Sequence, residues 1–174
     1  MTHITRSDRS LPARDSHIPV AVVLDRLRSA FNVGNIFRIA ETTRIQEVIT
    51  CGYTATPPHP KLQRTARGCD SLVAHRHFAT AGGAAVALRN AGYTVYAVET
   101  ASNAASIWET TLDFPAAFIF GNEALGISED ALRECDSCVA LPCLGTKNSL
   151  NVGNCAAVIL YDVVRRELVE GRSV

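Results

Sequence analysis

Asn32, Asn35 and Arg38 recur at intervals of three in SAFNVGNIFRIAE, a spacing that gathers them near one face of a helix. An arginine held there can clamp a phosphate or polarise a ribose hydroxyl, with Asn32 fixing its geometry. The same residues also fit a plain helix start, with Asn32 as cap and Arg38 paired with Glu41. A second cluster lies in FIFGNEALGIS, where an apolar strand runs straight into glycine. Gly121 admits close backbone approach by a ligand, and Glu123 can orient Arg38 or accept a ligand's donor. A tight turn whose polar residues cap one another is the alternative. The third cluster is Lys147, Asn148, Ser149 and Asn151 in LPCLGTKNSLNV. Helix-start amides with Ser149 can receive a phosphate, and Lys147 adds attraction to a polyanion. Ser149 acting only as a cap would contribute about 1 kcal/mol without chemistry.

These clusters need elements to hold them. VAVVL at 20–24 reads as a buried strand, Asn32 as the cap of a helix to about Thr43, and EVITCG as a second strand. The prolines of TATPPHPKLQRTARG break structure before a short helix over KLQRTA. His75 and His77 alternate across Arg76, a pattern of an exposed strand or loop rather than a metal pair. Thr80 caps a helix that Gly92 ends; TVYAVET, AAFIF and CVALP are further strands, and SEDALREC is a short helix with an acidic first turn. LNVGNCAAVILYDVVRREL predicts a long helix with an almost fully buried centre. Short strands separated by helices imply an α/β fold, a mostly parallel sheet covered by helices. Ligand sites in such sheets lie beyond the carboxyl ends of the strands, where all three clusters fall.

Length and composition narrow the class. A chain of 174 residues that is 47% apolar can bury one substantial core, which favours one domain over 17–174 behind a flexible, polar arm at 1–16. Lys and Arg balance Asp and Glu overall, but residues 1–76 hold 11 basic against 6 acidic side chains and residues 77–174 the reverse, 6 against 11. A positive first half suits a phosphate backbone, provided folding does not intermix the halves. No secretion-like or membrane-length apolar segment is present, so a cytoplasmic protein with reduced cysteines as small core residues is expected. Cys135, Cys138 and Cys143 form C-x2-C-x4-C without a further ligand nearby, and no metal is expected. The G-x-G-x-x-G dinucleotide fingerprint is absent.

The three segments, in this order and at these strand–loop–helix transitions, resemble the three motifs of the SpoU/TrmH branch of the SPOUT RNA methyltransferases. The resemblance spans about residues 19–166. It implies a C-terminal deep trefoil knot, a homodimer, and S-adenosyl-L-methionine as the donor of a methyl group to the ribose 2′-oxygen of an RNA, a tRNA or an rRNA. Carried over residue by residue, it places Asn32, Arg38, Glu123, Ser149 and Asn151 in the reactive site. It places Glu99, Thr100, Gly121, Leu141 and Leu150 against the cofactor, with Ile127 and Cys143 as neighbours. Apart from the motifs, the basic residues Arg26, Arg28, Arg44, Lys61, Arg64, Arg67 and Arg76 could guide an RNA backbone, with Lys147 adding attraction, or several of them are ordinary solvated charges. One departure stands out: after SLNV the family commonly has serine, and this chain has Gly153 and Asn154.

A ribose hydroxyl is a weak nucleophile that must be aligned with the methyl and lose its proton. Arginine, with a free pKa above about 12, either accepts that proton transiently or stabilises the developing alkoxide while phosphate or water takes it. A noncatalytic RNA-binding or assembly protein, and a small-molecule methyltransferase, are the alternatives.

Overall fold

The computed structural model describes residues 16–169; apart from its last residue, the arm expected at 1–16 lies outside them. The chain builds β1 (Ile18–Asp25), α1 (Ala30–Thr43), β2 (Ile45–Cys51), α2 (Pro60–Ala66), a 3-10 turn (Cys69–Ser71), β3 (Ala74–Phe78) and α3 (Ala81–Asn90). It continues through β4 (Thr94–Val98), β5 (Ala105–Ser106), β6 (Ala116–Phe120), α4 (Glu129–Leu132), β7 (Ser137–Ala140) and α5 (Val152–Val169). The strands form one sheet in the order β3-β2-β1-β6-β4-β7-β5, and every pairing between them is parallel.

Period-two alternation along β1 and β6 sets the layers. Val20, Val22, Leu24, Phe118 and Phe120 point into a core shared with Ile36 and Phe37 of α1, Leu62 of α2, and Ile159 and Val163 of α5. Ala21, Val23, Ala117 and Ile119 point the other way, onto Ala84 and Leu88 of α3 and Ala131 of α4. Both faces are covered, so the central strands read as continuous apolar runs.

Several sequence expectations are corrected. Ser29, not Asn32, caps α1, its hydroxyl accepting from the Asn32 amide at 3.3 Å. Ser149 does not cap α5: Asn151 Oδ1 accepts from Gly153 and Asn154 N at 3.0 and 3.3 Å. The centre of α5 is buried on one side only, with Val158, Tyr161 and Leu168 exposed. The cysteines are not uniformly core residues: Cys51 is buried, Cys143 is exposed, and the others are half-buried, all as free thiols. Among the described residues, no cluster of three or more His, Cys, Asp and Glu could hold a metal ion, and no helix is long and apolar enough to cross a membrane.

Candidate functional site

β6, β4 and β7 are neighbours, and the loops leaving their carboxyl ends surround a cleft of about 470 Å³. Glu99 and Thr100 come from the end of β4, residues 121–124 and Gly126 from the loop after β6, and Leu141 and Cys143 from the loop after β7. Residues 148–152 and Cys155 close it from the α5 entrance.

The loop after β6 is fixed by its own hydrogen bonds. Asn122 and Gly126 exchange backbone bonds at 2.9 and 3.0 Å, and Asn122 Oδ1 accepts from Ala124 and Leu125 N at 2.8 and 3.0 Å. The other end of the Asn122 amide donates to Arg26 O at 2.6 Å and to the Tyr53 hydroxyl at 2.8 Å. A Cβ at Gly121 would lie 2.3 Å from the backbone of Gly126 and Ile127, so only glycine permits this closure. The closed turn presents Ile127 N to Glu99 Oε2 at 3.1 Å.

The same turn aims Glu123 at the entrance of α1. Its carboxylate accepts from Arg28 N at 2.9 Å, Ser29 N at 3.3 Å and Asn32 Nδ2 at 3.1 Å. Burial pushes this carboxyl up, but the bonds from Arg28, its own backbone, Asn32 and Ser29 outweigh burial and hold it below the usual carboxylate range. Asn32 Oδ1 in turn accepts from Asn151 Nδ2 at 3.3 Å. One line of hydrogen bonds therefore runs from Glu123 through Asn32 and Asn151 to the first amides of α5, joining all three sequence clusters. Thr100 Oγ1 donating to Asn148 O at 2.9 Å ties the last loop to β4.

Of the residues expected against a cofactor, Glu99, Thr100, Gly121, Leu141, Cys143 and Leu150 line the cleft. Ile127 does not; its side chain is buried in the core under α3 and α4, and only its amide faces Glu99. Glu123, Ser149 and Asn151 line the cleft, and Asn32 is bonded to two of them. Arg38 is exposed on α1 and does not line the cleft of its own chain. Among the residues expected to guide RNA, Arg26 is paired with the buried Asp25 at 3.1 Å and Arg76 bidentately with Glu47 at 2.7 and 2.8 Å. Arg28, Lys61, Arg64, Arg67 and Lys147 are exposed. Arg44 sits at the left-handed end of α1 with its Nε buried. Sequence reasoning assigned no role to Asp25 or Asn122. The signal available for both was a polar residue at a strand's carboxyl end.

A parallel sheet covered on both faces, with a nucleoside-sized polar cleft over its central strand ends, defines an α/β protein built to hold a small ligand at that rim. The chain belongs to the SpoU rRNA Methylase family, which it matches over residues 19–161. It is 31% identical over 152 residues to the tRNA (guanosine(18)-2'-O)-methyltransferase of Thermus thermophilus, covering 87% of this chain and 77% of that one. Over 169 residues it is 31% identical to the 23S rRNA (uridine(2479)-2'-O)-methyltransferase of Streptomyces viridochromogenes, covering 94% of this chain and 57% of that one. The solved structure of the SpoU methyltransferase AviRb from that organism, in complex with the cofactor AdoMet, superposes with a TM-score of 0.78 at 26% identity, covering 94% of this chain and 63% of that one. The chain thus spans about three fifths of the Streptomyces protein.

Proposed function

We propose that this protein transfers the methyl group of S-adenosylmethionine to a ribose 2′-oxygen of RNA, a tRNA or an rRNA. The observation that carries the reading is the hydrogen-bonded line Glu123–Asn32–Asn151, which draws three distant segments to one cleft. The named activities of the Thermus and Streptomyces relatives support it, as does the AdoMet held by the Streptomyces structure. The cleft suits that cofactor: its volume falls within the range of small-molecule sites, and Leu141 and Leu150 give apolar walls beside the Glu99 carboxylate and the Thr100 and Ser149 hydroxyls.

When bound, S-adenosylmethionine supplies an already activated methyl group, so the chain's task is placement and charge. Glu99 and the loop amides would hold the ligand's polar parts, and Leu141 and Leu150 would shield its apolar parts from water. Ser149 offers its hydroxyl to the RNA at the cleft mouth. Glu123 and Asn32 fix the start of α1, the helix that bears Arg38. The Arg38 guanidinium, a cation with five donors, stabilises the alkoxide forming on the ribose while solvent or a phosphate takes the proton.

Arg38 does not reach its own chain's cleft, so this reading includes a homodimer in which Arg38 serves the partner's cleft. Support comes from the apolar residues Phe31, Val158 and Tyr161, left exposed on the packed helices α1 and α5. It also includes one domain, a cytoplasmic setting, and a C-terminal knot. The contact of Asn148 with Thr100 supports the knot, because it brings the 141–151 segment beside the loop after β4.

The test is to incubate the protein with radiolabelled S-adenosylmethionine and total RNA, digest the RNA, and locate the label. Labelled 2′-O-methylribose that disappears with Arg38→Ala is expected. Cofactor binding without transfer to any RNA would favour a noncatalytic RNA-binding or assembly protein.

A further inference from the structure

Many of the basic side chains are committed to ion pairs. Arg26, Arg76, Arg89, Arg133, Arg165 and Arg166 each lie within 4.0 Å of a carboxylate. Lys61, Arg64 and Arg67 have no such partner among the described residues, and all three are exposed. They sit at i, i+3 and i+6 on α2 and its left-handed C-cap, near one face of the helix. The whole stretch from Tyr53 to Gly68 contains no Asp or Glu.

α2 is also held firmly. A Cβ at Gly34 would lie 2.2 Å from Leu62 O and from Thr65 Oγ1, so glycine lets the backbones of α1 and α2 meet. Thr65 Oγ1 donates to Phe31 O at 3.0 Å, and His59 caps the helix by accepting from Leu62 N at 3.4 Å. The three cations are thus carried rigidly on the helix packed against the one that bears Arg38. Unpaired charges on a fixed ridge retain their full attraction for an external polyanion, whereas paired ones have spent it on a neighbouring carboxylate.

We propose that Lys61, Arg64 and Arg67 form a phosphate-binding ridge that docks the RNA backbone independently of sequence, feeding the target ribose to the site beside it. The ridge rests on the RNA methyl-transfer reading. Each cation that neutralises a phosphate releases counterions, so three of them steepen the salt dependence of binding by about 2.

The test measures binding of bulk unmodified tRNA transcripts and of a short oligouridylate by fluorescence anisotropy, from about 50 to 200 mM salt. Lys61→Gln/Arg64→Gln/Arg67→Gln is expected to lower the slope of log K against log salt by about 2 for both RNAs. S-adenosylmethionine affinity and melting temperature should stay at wild-type values, and Arg64→Lys/Arg67→Lys should keep the wild-type slope. Arg89→Gln and Arg133→Gln, which remove paired charges, should leave the slope unchanged. If the wild type binds and methylates RNA while the triple variant keeps its slope, the ridge is wrong and methyl transfer stands. If the wild type shows no salt-dependent binding and no transfer to RNA, both are wrong.

Discussion

Glu123 is the side chain through which the site becomes sensitive to acid. Its carboxyl is lower in the folded chain than in the unfolded one, where the ordinary value is about 4.3. The stability it contributes is therefore complete above that value and is lost as pH falls through the depressed folded value. Glu123→Gln turns one acceptor into a donor facing the Arg28, Ser29 and Asn32 N–H groups, an expected cost of about 1–2 kcal/mol near neutral pH. Melting curves of both proteins should show a constant gap above about pH 5 that narrows below about pH 4. A gap unchanged into strong acid would assign the loss to shape and remove the charge argument. The thiols of the cleft separate in the same way. Burial, and then the neighbouring Cys143, push Cys155 up to about 11, so it stays protonated at working pH. Cys143 is exposed. Iodoacetamide at about pH 8 should modify Cys143 well before Cys155, as read by peptide mass spectrometry. S-adenosylmethionine should protect Cys143, and equal labelling of both thiols would contradict the burial of Cys155.

At the scale of elements, the doubled NVGN acquires a physical meaning that neither copy shows alone. Asn32 of the first copy bonds Asn151 of the second, and a Cβ at Gly153 would lie 2.8 Å from Asn35 Nδ2. Glycine at this position therefore leaves room for an asparagine on the opposite helix. Gly153→Ser meets the movable end of that side chain, so its expected cost is about 1 kcal/mol. The Asn35→Ala background should relieve it, with a coupling of about 0.5–1 kcal/mol in a urea double-mutant cycle. Additive effects would place the cost in the start of α5 instead. The NVGN repeat was visible in the sequence, but the contact was not, because it depends on α1 and α5 packing across 119 residues. Thr80 and Gly92 were readable as helix boundaries because local caps decide them. Asn32 was misread as a cap because Ser29, three residues earlier, offers the same chemistry. β3 was legible only as an exposed strand or loop, because AHRHF has no apolar alternation, and β5, with two residues, offered no period to count.

At the scale of the whole molecule, the parallel class followed from strands separated by helices, but the order of the strands did not. β4 lies between β6 and β7, and that placement brings Glu99 against the 121–127 loop and Thr100 against Asn148. The cleft was therefore legible as three clusters, and its outline was not. Arg38 poses the largest question at this scale, since the chain that carries it does not bring it to its own cleft. If Arg38 works in the partner's cleft, two inactive proteins must rescue each other. Arg38→Ala removes the guanidinium, and Cys143→Trp fills the cleft from an exposed position. In a heterodimer of the two, one cleft is blocked and faces the missing guanidinium, while the other pairs an open cleft with an intact Arg38. Random assortment of equal amounts puts half the molecules in heterodimers with one working site each, or about a quarter of wild-type activity. Co-purification through two different tags should raise that to about half. If Arg38 acts within its own chain, each site of the heterodimer carries one defect and the mixture stays inactive. Methyl transfer to RNA by the co-purified pair, measured beside each variant alone, decides between the two arrangements.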